Sequence, residues 1–182
     1  MAQPEREATQ RRPFRPVLFV VVLVAIYGAL HALYFAVPDR ILREVVHYYA
    51  IVAPGAQLIR LAVPQEPLTA VEGTLRSPRA ALSIVRGCDG AGVAFLLMAA
   101  VLAFPAGSKR KLLGVLGALA LTYVLNQLRV VGLYFIAAYR HDWFHLLHNF
   151  LIPTFIIVVC CVFFAWWAAW STDAARPAVP GS

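Results

Sequence analysis

Four stretches of the chain are apolar, and each is close to or above the length needed to cross a lipid bilayer. A hydrocarbon core of about 30 Å requires about 20 helical residues, because each residue adds about 1.5 Å of rise. The second stretch is the shortest and needs the residues around Cys88 to reach across. We therefore predict an all-α integral membrane protein with four transmembrane helices. The stretches run from about Phe14 to Val37, Gly90 to Phe104, Leu112 to Gly132 or beyond, and Phe150 to Trp170.

The composition argues against a soluble domain. Apolar residues make up 61% of the 182 residues and charged residues only 14%, against about 45–50% and 25% in soluble domains. The 16 basic and 9 acidic side chains are too few to cover the surface of a soluble core of this length. The net charge of +7 lies in short basic runs beside apolar stretches, which indicates membrane orientation and not nucleic-acid binding. We predict the lipid bilayer as a partner and no nucleic acid.

The basic runs predict an orientation in the membrane. Four arginines precede the first span, and Lys109, Arg110 and Lys111 fill the connection between the second and third. Because basic residues favour the cytoplasmic side, both regions are placed there, and an even number of spans returns the C-terminus to the same side. The predicted parts are a cytoplasmic basic tail (1–13), a four-helix membrane domain (14–170) with an outer loop (38–87), and a disordered cytoplasmic tail (171–182).

The outer loop carries an amphipathic helical segment and a small β-hairpin in this prediction. Ile41 to Leu61 is expected to form two helical pieces broken at Pro54-Gly55 and lying along the membrane surface. From Leu68 to Val85 the pattern of apolar residues changes to alternation around the turn residues Ser77-Pro78, which predicts a hairpin. The helical face is expected to carry Leu42, Val45, Val46 and Tyr49.

Three reactive side chains are predicted to meet near the outer boundary of the bilayer. Arg129 lies 17 residues after Leu112, or about 25 Å along a helix, and therefore about 5 Å below that boundary. Cys88 lies where the outer loop enters the second span, and His148 where the last connection enters the fourth. Together they supply a nucleophile, a cation able to stabilise an oxyanion, and a proton carrier. We predict these three residues as a catalytic set.

Neighbouring residues support this set, although simpler roles stay open. Arg86 and the start of a helix at Cys88 both favour a reactive thiolate, whereas a buried packing thiol is the alternative. An alternative role for Arg129 is to extend its charged end to the lipid headgroups. Asn126, one turn earlier, favours a polar face of the third span that points into the protein.

The histidines offer a second kind of site. His141, His145 and His148 follow at spacings of four and three, so they share one face if the connection is helical, and metal binding is conceivable there. No H-E-x-x-H or Cys-x-x-Cys motif accompanies them. We predict no metal and no cofactor. His31 is expected at a membrane interface and His47 on the surface.

Three polar stretches resemble those of the exosortase/archaeosortase family, which are integral-membrane, sortase-like cysteine transpeptidases. The resemblance covers about Pro38 to Trp167, and the short four-span form resembles a compact exosortase variant. The stretches are Arg86-Gly87-Cys88-Asp89-Gly90 leading into Phe95 to Ala100, Asn126-Gln127-Leu128-Arg129-Val130-Val131, and Phe144-His145-Leu146-Leu147-His148.

The resemblance implies a role for each matched residue. Cys88 matches the nucleophile, Arg129 the arginine of the family's Asn-x-x-Arg segment, and His148 the histidine at the start of the last span. His145 lies one turn away and is an alternative match, because Asn149 replaces the glycine that often follows the family histidine. Asp89 stands at a position that tolerates several polar residues and is assigned no catalytic role.

The resemblance also implies a substrate and a location. Members of the family cleave secreted proteins that end in a sorting signal. The signal is a short motif, often containing Pro-Glu-Pro, followed by one transmembrane helix and a basic cluster. A thioester joins enzyme and substrate before transfer to a surface acceptor. The expected location is the bacterial cytoplasmic membrane, with both termini inside and the active site at the outer face.

Other functional classes stay open on sequence alone. The main alternative is a non-enzymatic four-span assembly component that binds partner helices, with Cys88 inert. A quinone-linked thiol oxidoreductase would need cysteine pairs on the outer face, and only Cys88 is expected there. A histidine-based metalloenzyme would lose activity with chelators.

Overall fold

The computed structural model describes residues 15–173 and is predominantly helical. The predicted tail 1–13 lies outside the described residues, as does the tail from residue 174 onward. The last helix continues through Asp173, so the predicted disordered tail does not begin at residue 171. The main apolar helices are α1 (Pro16–Ala36), α4 (Ala91–Ala103), α5 (Ser108–Tyr139) and α7 (Ile152–Asp173), and a short helix, α6 (Phe144–Leu146), comes before α7.

Within residues 15–173, three helical segments are long and apolar enough to cross a membrane: Pro16–Ala36, Ser108–Tyr139 and His141–Thr172. The predicted fourth full span is not confirmed, because α4 has only 13 residues and is about 20 Å long. Its N-terminal extension is prevented by Gly87 and Gly90, which adopt φ values of 90° and 82°. Such values lie outside the helical region, so the residues around Cys88 form a turn.

The apolar helices pack around α4 and α5. α4 lies between α1 and α5, and α7 packs against both α4 and α5. α1 contributes no fully buried residue, as expected for a helix with most of its surface facing lipid. The buried core of this bundle consists of Leu97, Ala118, Leu125, Ile156 and Cys160.

A second core lies under the cap segment, which we define as residues 38–87. The helices of the cap segment are α2 (Asp39–Ile41), a π-helix (Leu42–Val52) and α3 (Ala53–Ala62), and they follow one another without interruption. The outer-loop prediction of a break at Pro54-Gly55 is therefore wrong. Buried cap residues pack against Val130 and Tyr134 of α5, so α5 belongs to both cores: Ile51, Val52, Ala56, Ile59, Leu68, Leu75 and Ile84.

Pro54 is accommodated without a break because it lies in the first turn of α3, where the missing N–H of proline is tolerated. Close to it in the chain, α5 makes a polar contact with the carbonyl of Ala50. The Nε2 of Gln127 donates to that carbonyl at 2.9 Å. Gly55 lets α5 approach closely, since a Cβ there would lie 3.4 Å from Cγ1 of Val130. Cap and α5 are thus joined by a specific polar contact as well as by apolar packing.

The cap segment also contains a three-stranded antiparallel sheet where the sequence predicted a single hairpin. The strands are β1 (Thr69–Val71), β2 (Thr74–Arg76) and β3 (Ala81–Ser83), in that order. β1 and β2 are joined by Glu72 and Gly73, whose φ values are 44° and 79°, as the tight turns of two-residue hairpins require. The predicted turn at Ser77-Pro78 connects β2 to β3, and it directs the chain toward Cys88.

Helix packing predicts a strong effect at Gly114. A Cβ at this position of α5 would lie 2.5 Å from Cε2 of Trp167 and 2.7 Å from Cγ1 of Val101. We expect Gly114→Ala to destabilise the bundle by about 1–3 kcal/mol through overpacking. Gly28→Ala in α1 is the control, because no atom lies within 4 Å of its Cβ position. Thermal unfolding in detergent should show a lower midpoint for Gly114→Ala only; equal midpoints would contradict the packing.

Candidate functional site

Cys88 lies in a turn between β3 and α4. Its N–H donates to the carbonyl of Val85 at 3.0 Å, and its side chain is half-buried. Helix α4 begins at Ala91, preceded by Gly90 as its N-terminal cap. Cys88 therefore precedes the helix by three residues, where the sequence predicted that it begins the helix. The turn holds the thiol near the helix N-terminus without including it in the helix.

The Cys88 turn packs directly on α5. A Cβ at Gly90 would lie 2.8 Å from Oδ1 of Asn126, so only glycine fits at this contact. Asn126 is buried, as expected for the polar interior face predicted for this span. Arg129 follows Asn126 by three residues, on the adjacent helical turn. The contact therefore brings the Cys88 turn and Arg129 to the same part of α5.

Arg129 faces the interface between α5 and α7. Together with five apolar residues it lines a cavity of about 150 Å³. Its side chain is half-buried, and its Nε is buried without a hydrogen-bond partner among residues 15–173. A guanidinium in apolar surroundings interacts strongly with any anion that reaches it. The apolar lining residues are Leu125, Leu128, Ile152, Phe155 and Ile156.

His148 lies close to Arg129. It belongs to a short π-helix, Leu147–Leu151, that precedes α7, and its ring stacks on Phe144 with centroids 5.3 Å apart. The guanidinium of Arg129 is near enough to act electrostatically on the imidazole. His145 is exposed, whereas His148 is half-buried. The geometry therefore favours His148 over His145 as the histidine of this site.

Arg86 is engaged away from the thiol that it was expected to support. Its guanidinium donates to the carbonyls of Tyr34 and Val37 at 2.8 Å each and pairs with Asp39 at 2.7 Å. It also lies 5.0 Å from the ring centroid of Phe35. The unpaired carbonyls and negative dipole at the end of α1 attract such a cation. These contacts show Arg86 joining α1 to the start of the Cys88 turn.

The comparison with known families decides the assignment. Residues 8–166 match the family described as transmembrane exosortase. The chain belongs to this family. The resemblance inferred from the three polar stretches is thereby confirmed, and the exosortase match includes Cys88, Arg129 and His148. No curated protein and no solved structure matches the chain.

Two residues of this exosortase family member were missed by sequence reasoning. Asp89 is buried and accepts hydrogen bonds from the Tyr34 hydroxyl and from Nε2 of His47, the latter at 3.0 Å. His47 is only 1% exposed, so its prediction as a surface histidine is wrong. The π-helix explains the error, because Leu42, His47 and Ile51 share a buried face at spacings of five and four, where an α-helical pattern was assumed.

The three histidines of the last connection do not assemble a metal site in the structure. His141 and His145 are exposed, and His148 turns inward to stack on Phe144. Within residues 15–173, no group of three or more histidine, cysteine, aspartate or glutamate side chains is arranged to hold a metal ion. In this exosortase the histidine that the structure places beside Arg129 is His148.

The two glycines of the turn predict different effects of the same substitution. Gly87 and Gly90 both have positive φ, so alanine costs about 1–2 kcal/mol of backbone strain at either position. Only at Gly90 would the added Cβ also clash, with Asn126; at Gly87 no atom lies within 4 Å. We expect Gly90→Ala to lower the thermal midpoint clearly more than Gly87→Ala. Equal losses would mean that the turn does not pack on α5.

Proposed function

We propose that this exosortase family member is a membrane-embedded cysteine transpeptidase or peptidase that cleaves the C-terminal sorting signals of secreted proteins. The observation that carries the proposal is the contact of Gly90 with Asn126. It brings the turn of Cys88 onto the helix that carries Arg129, whose charge in turn acts on His148. These observations support a site in which a nucleophile, an oxyanion partner and a proton carrier come from three distant parts of the chain.

The proposed chemistry proceeds through a thioester. The Cys88 thiolate attacks the scissile carbonyl, and the N–H donors of Arg129 stabilise the negative oxygen of the tetrahedral intermediate. When the carbon–nitrogen bond breaks, His148 gives a proton to the leaving amine and the thioester remains on Cys88. An acceptor then attacks the thioester carbonyl after His148 takes its proton, and the thiolate leaves. The acceptor is water or a nucleophile at the cell surface.

The apolar cavity beside Arg129 supports this role for the guanidinium. Electrostatic stabilisation is strongest where water is excluded and the charge is held in place before the reaction. The lining of the Arg129 cavity favours the first condition, because its other five residues are apolar. A planar arginine also donates two parallel hydrogen bonds in a fixed geometry, which lysine cannot do.

The proposed substrate fits a site near one membrane boundary. Secreted proteins with a short motif, a transmembrane helix and a basic cluster would stop with their basic end in the cytoplasm and present the motif outside. We place this protein in the bacterial cytoplasmic membrane as a multi-pass protein, with both termini inside and the site at the outer face. Beyond Arg129, α5 continues to Tyr139 and packs into the cap segment, which supports a site at the boundary between membrane and cap.

Substitutions at Cys88 and Arg129 test the reaction. In proteoliposomes with a substrate carrying such a sorting signal, Cys88→Ala should abolish both cleavage and a thioester trapped at acidic pH. Arg129→Gln should lower kcat by about 100- to 1000-fold, as expected for the loss of an oxyanion donor, and Arg129→Lys should restore little activity. Arg140→Gln, an exposed arginine beyond the end of α5, is the control and should leave kcat unchanged. Cleavage by Cys88→Ala at the wild-type rate would reject the mechanism.

The two histidines provide a matched pair. His148→Gln should lower kcat by about 100-fold or more, because it removes the general acid and base. His145→Gln should have little effect, since His145 is exposed. The same processing assay measures both variants, and a larger loss from His145→Gln would assign the proton transfer to that residue instead.

Alkylation of Cys88 separates an enzyme from an assembly component. A thiol activated by its surroundings should react with iodoacetamide below pH 7, where an ordinary thiol reacts slowly. Wild-type protein and the Arg129→Gln variant should be compared by mass spectrometry across this pH range. A Cys88 that stays unmodified below pH 7 would favour a non-enzymatic component that binds partner helices.

A further inference from the structure

A buried polar cluster lies beside the Cys88 turn and takes no part in the chemistry proposed above. Its centre is the carboxylate of Asp89, whose side chain is 4% exposed. Oδ2 accepts from the Tyr34 hydroxyl and lies 3.0 Å from Nε2 of His47. Oδ1 accepts from the N–H of Ala91 at 3.2 Å. A buried carboxylate is costly unless its oxygens are hydrogen-bonded, and here both oxygens of Asp89 are.

The cluster joins three helices at a single side chain. Tyr34 lies in the last turn of α1, His47 in the π-helix of the cap, and Ala91 at the first position of α4. Arg86 reinforces the same region, since it lies 4.9 Å from the ring centroid of Tyr34. Asp89 therefore fixes the start of α4 relative to both the bundle and the cap.

Besides the hydrogen bond from the Cys88 N–H to Val85 and the contact of Gly90 with Asn126, the backbone of the turn has little to hold its shape. Between Gly87 and Gly90, both at positive φ, the only side chains are those of Cys88 and Asp89. Glycine is the residue with the greatest backbone freedom, so glycines at both ends leave the turn weakly constrained. The bonds of the Asp89 side chain supply the missing constraint, because they are made by the residue next to the thiol.

Stability alone does not require a charged group at this place. Buried ion pairs are often replaced by apolar side chains with no loss of stability, and the surroundings are apolar helices that pack well without one. Directional hydrogen bonds add a defined geometry. Here the hydrogen bonds of Asp89 define the geometry of the turn that carries the thiol.

We propose that Asp89 is a positioning residue for Cys88, held by Tyr34 and His47 so that the thiol faces the part of α5 that carries Arg129. The importance of this position for catalysis rests on the proposed function. The mechanical part of the proposal, that Asp89 orders the turn, does not depend on any substrate. Two separate measurements therefore test it.

The first measurement is the accessibility of the thiol. With Cys160→Ala and Cys161→Ala, Cys88 is the sole remaining cysteine of the three in the chain. In this background Asp89→Ala should raise the rate of alkylation of Cys88 by N-ethylmaleimide at least about tenfold, because lost hydrogen bonds to a charged group favour local opening. Asp89→Asn, which keeps the size and part of the hydrogen bonding, should give a smaller increase.

A buried thiol elsewhere reports on the rest of the fold. Cys160 lies in the bundle core, so a Cys88→Ala, Cys161→Ala background makes it a probe of global opening. Asp89→Ala should leave its alkylation rate unchanged. Equal acceleration at Cys88 and Cys160 would show that Asp89 only stabilises the whole protein, and no acceleration at Cys88 would show that it does not order the turn; either result overturns the proposal. If Asp89→Ala does not fold, the alkylation rates of Cys88 and Cys160 in Asp89→Asn test the proposal in the same way.

The second measurement is the processing of a sorting signal. Asp89→Ala should lower kcat at least about tenfold while KM stays within about twofold, since a misplaced nucleophile slows the chemical step more than it weakens binding. Asp89→Asn should recover part of the loss. Asp142→Asn is the matched control, because Asp142 is exposed and the same charge is removed.

The partner hydroxyl gives an independent variant. Tyr34→Phe removes one hydrogen bond to Asp89 and should lower kcat as Asp89→Asn does. Tyr49→Phe, at an exposed position of the cap segment, should leave kcat unchanged. Wild-type kcat for both Asp89→Asn and Tyr34→Phe would overturn the proposal. Absence of processing by the wild-type protein would instead reject the proposed function, and the alkylation result would still stand.

Discussion

The continuity of α5 is the constraint on which the rest of the structure depends. This helix has 32 residues and is about 48 Å long, so it exceeds a hydrocarbon core of about 30 Å. Its N-terminal part packs in the bundle core through Ala118 and Leu125, and its C-terminal part packs in the cap core through Val130 and Tyr134. Asn126 and Arg129 lie where one core ends and the other begins. A single rigid element therefore sets the position of the site relative to both halves of the molecule.

The sequence predicted the long apolar helices because hydrophobicity and length alone determine them. It also predicted that Cys88 and Arg129 lie at similar depth, since rise per residue converts sequence distance into height along a helix. It did not predict the π-helix, whose wider spacing buries His47, nor the turn that shortens α4. Both depend on tertiary contacts: Gln127 donates a hydrogen bond to the carbonyl of Ala50, and Asp89 receives a hydrogen bond from the distant Tyr34. No local pattern contains either partner.

Several buried polar atoms without partners belong to the candidate site. Among the described residues, Oδ1 of Asn126, Nε of Arg129 and Nδ1 of His148 are buried and have no hydrogen-bond partner. Unsatisfied polar atoms are expensive in an apolar environment, and more so in a membrane. A peptide backbone carries both N–H donors and carbonyl acceptors, so a substrate segment would match this set. This complementarity favours a peptide over a purely apolar ligand such as a lipid chain.

The shortness of α4 explains how a peptide would reach the thiol. At about 20 Å, α4 leaves about 10 Å of a bilayer core without helix at its N-terminal end. Irregular backbone is tolerated at such depth only where protein surrounds it, and here Asn126, Tyr34 and His47 surround the turn. A full-length helix would bring its own carbonyls and side chains into this space and leave no room beside Cys88. The two glycines that delay the start of α4 therefore leave space for the proposed site, and the hydrogen bonds of Asp89 hold the turn that carries Cys88.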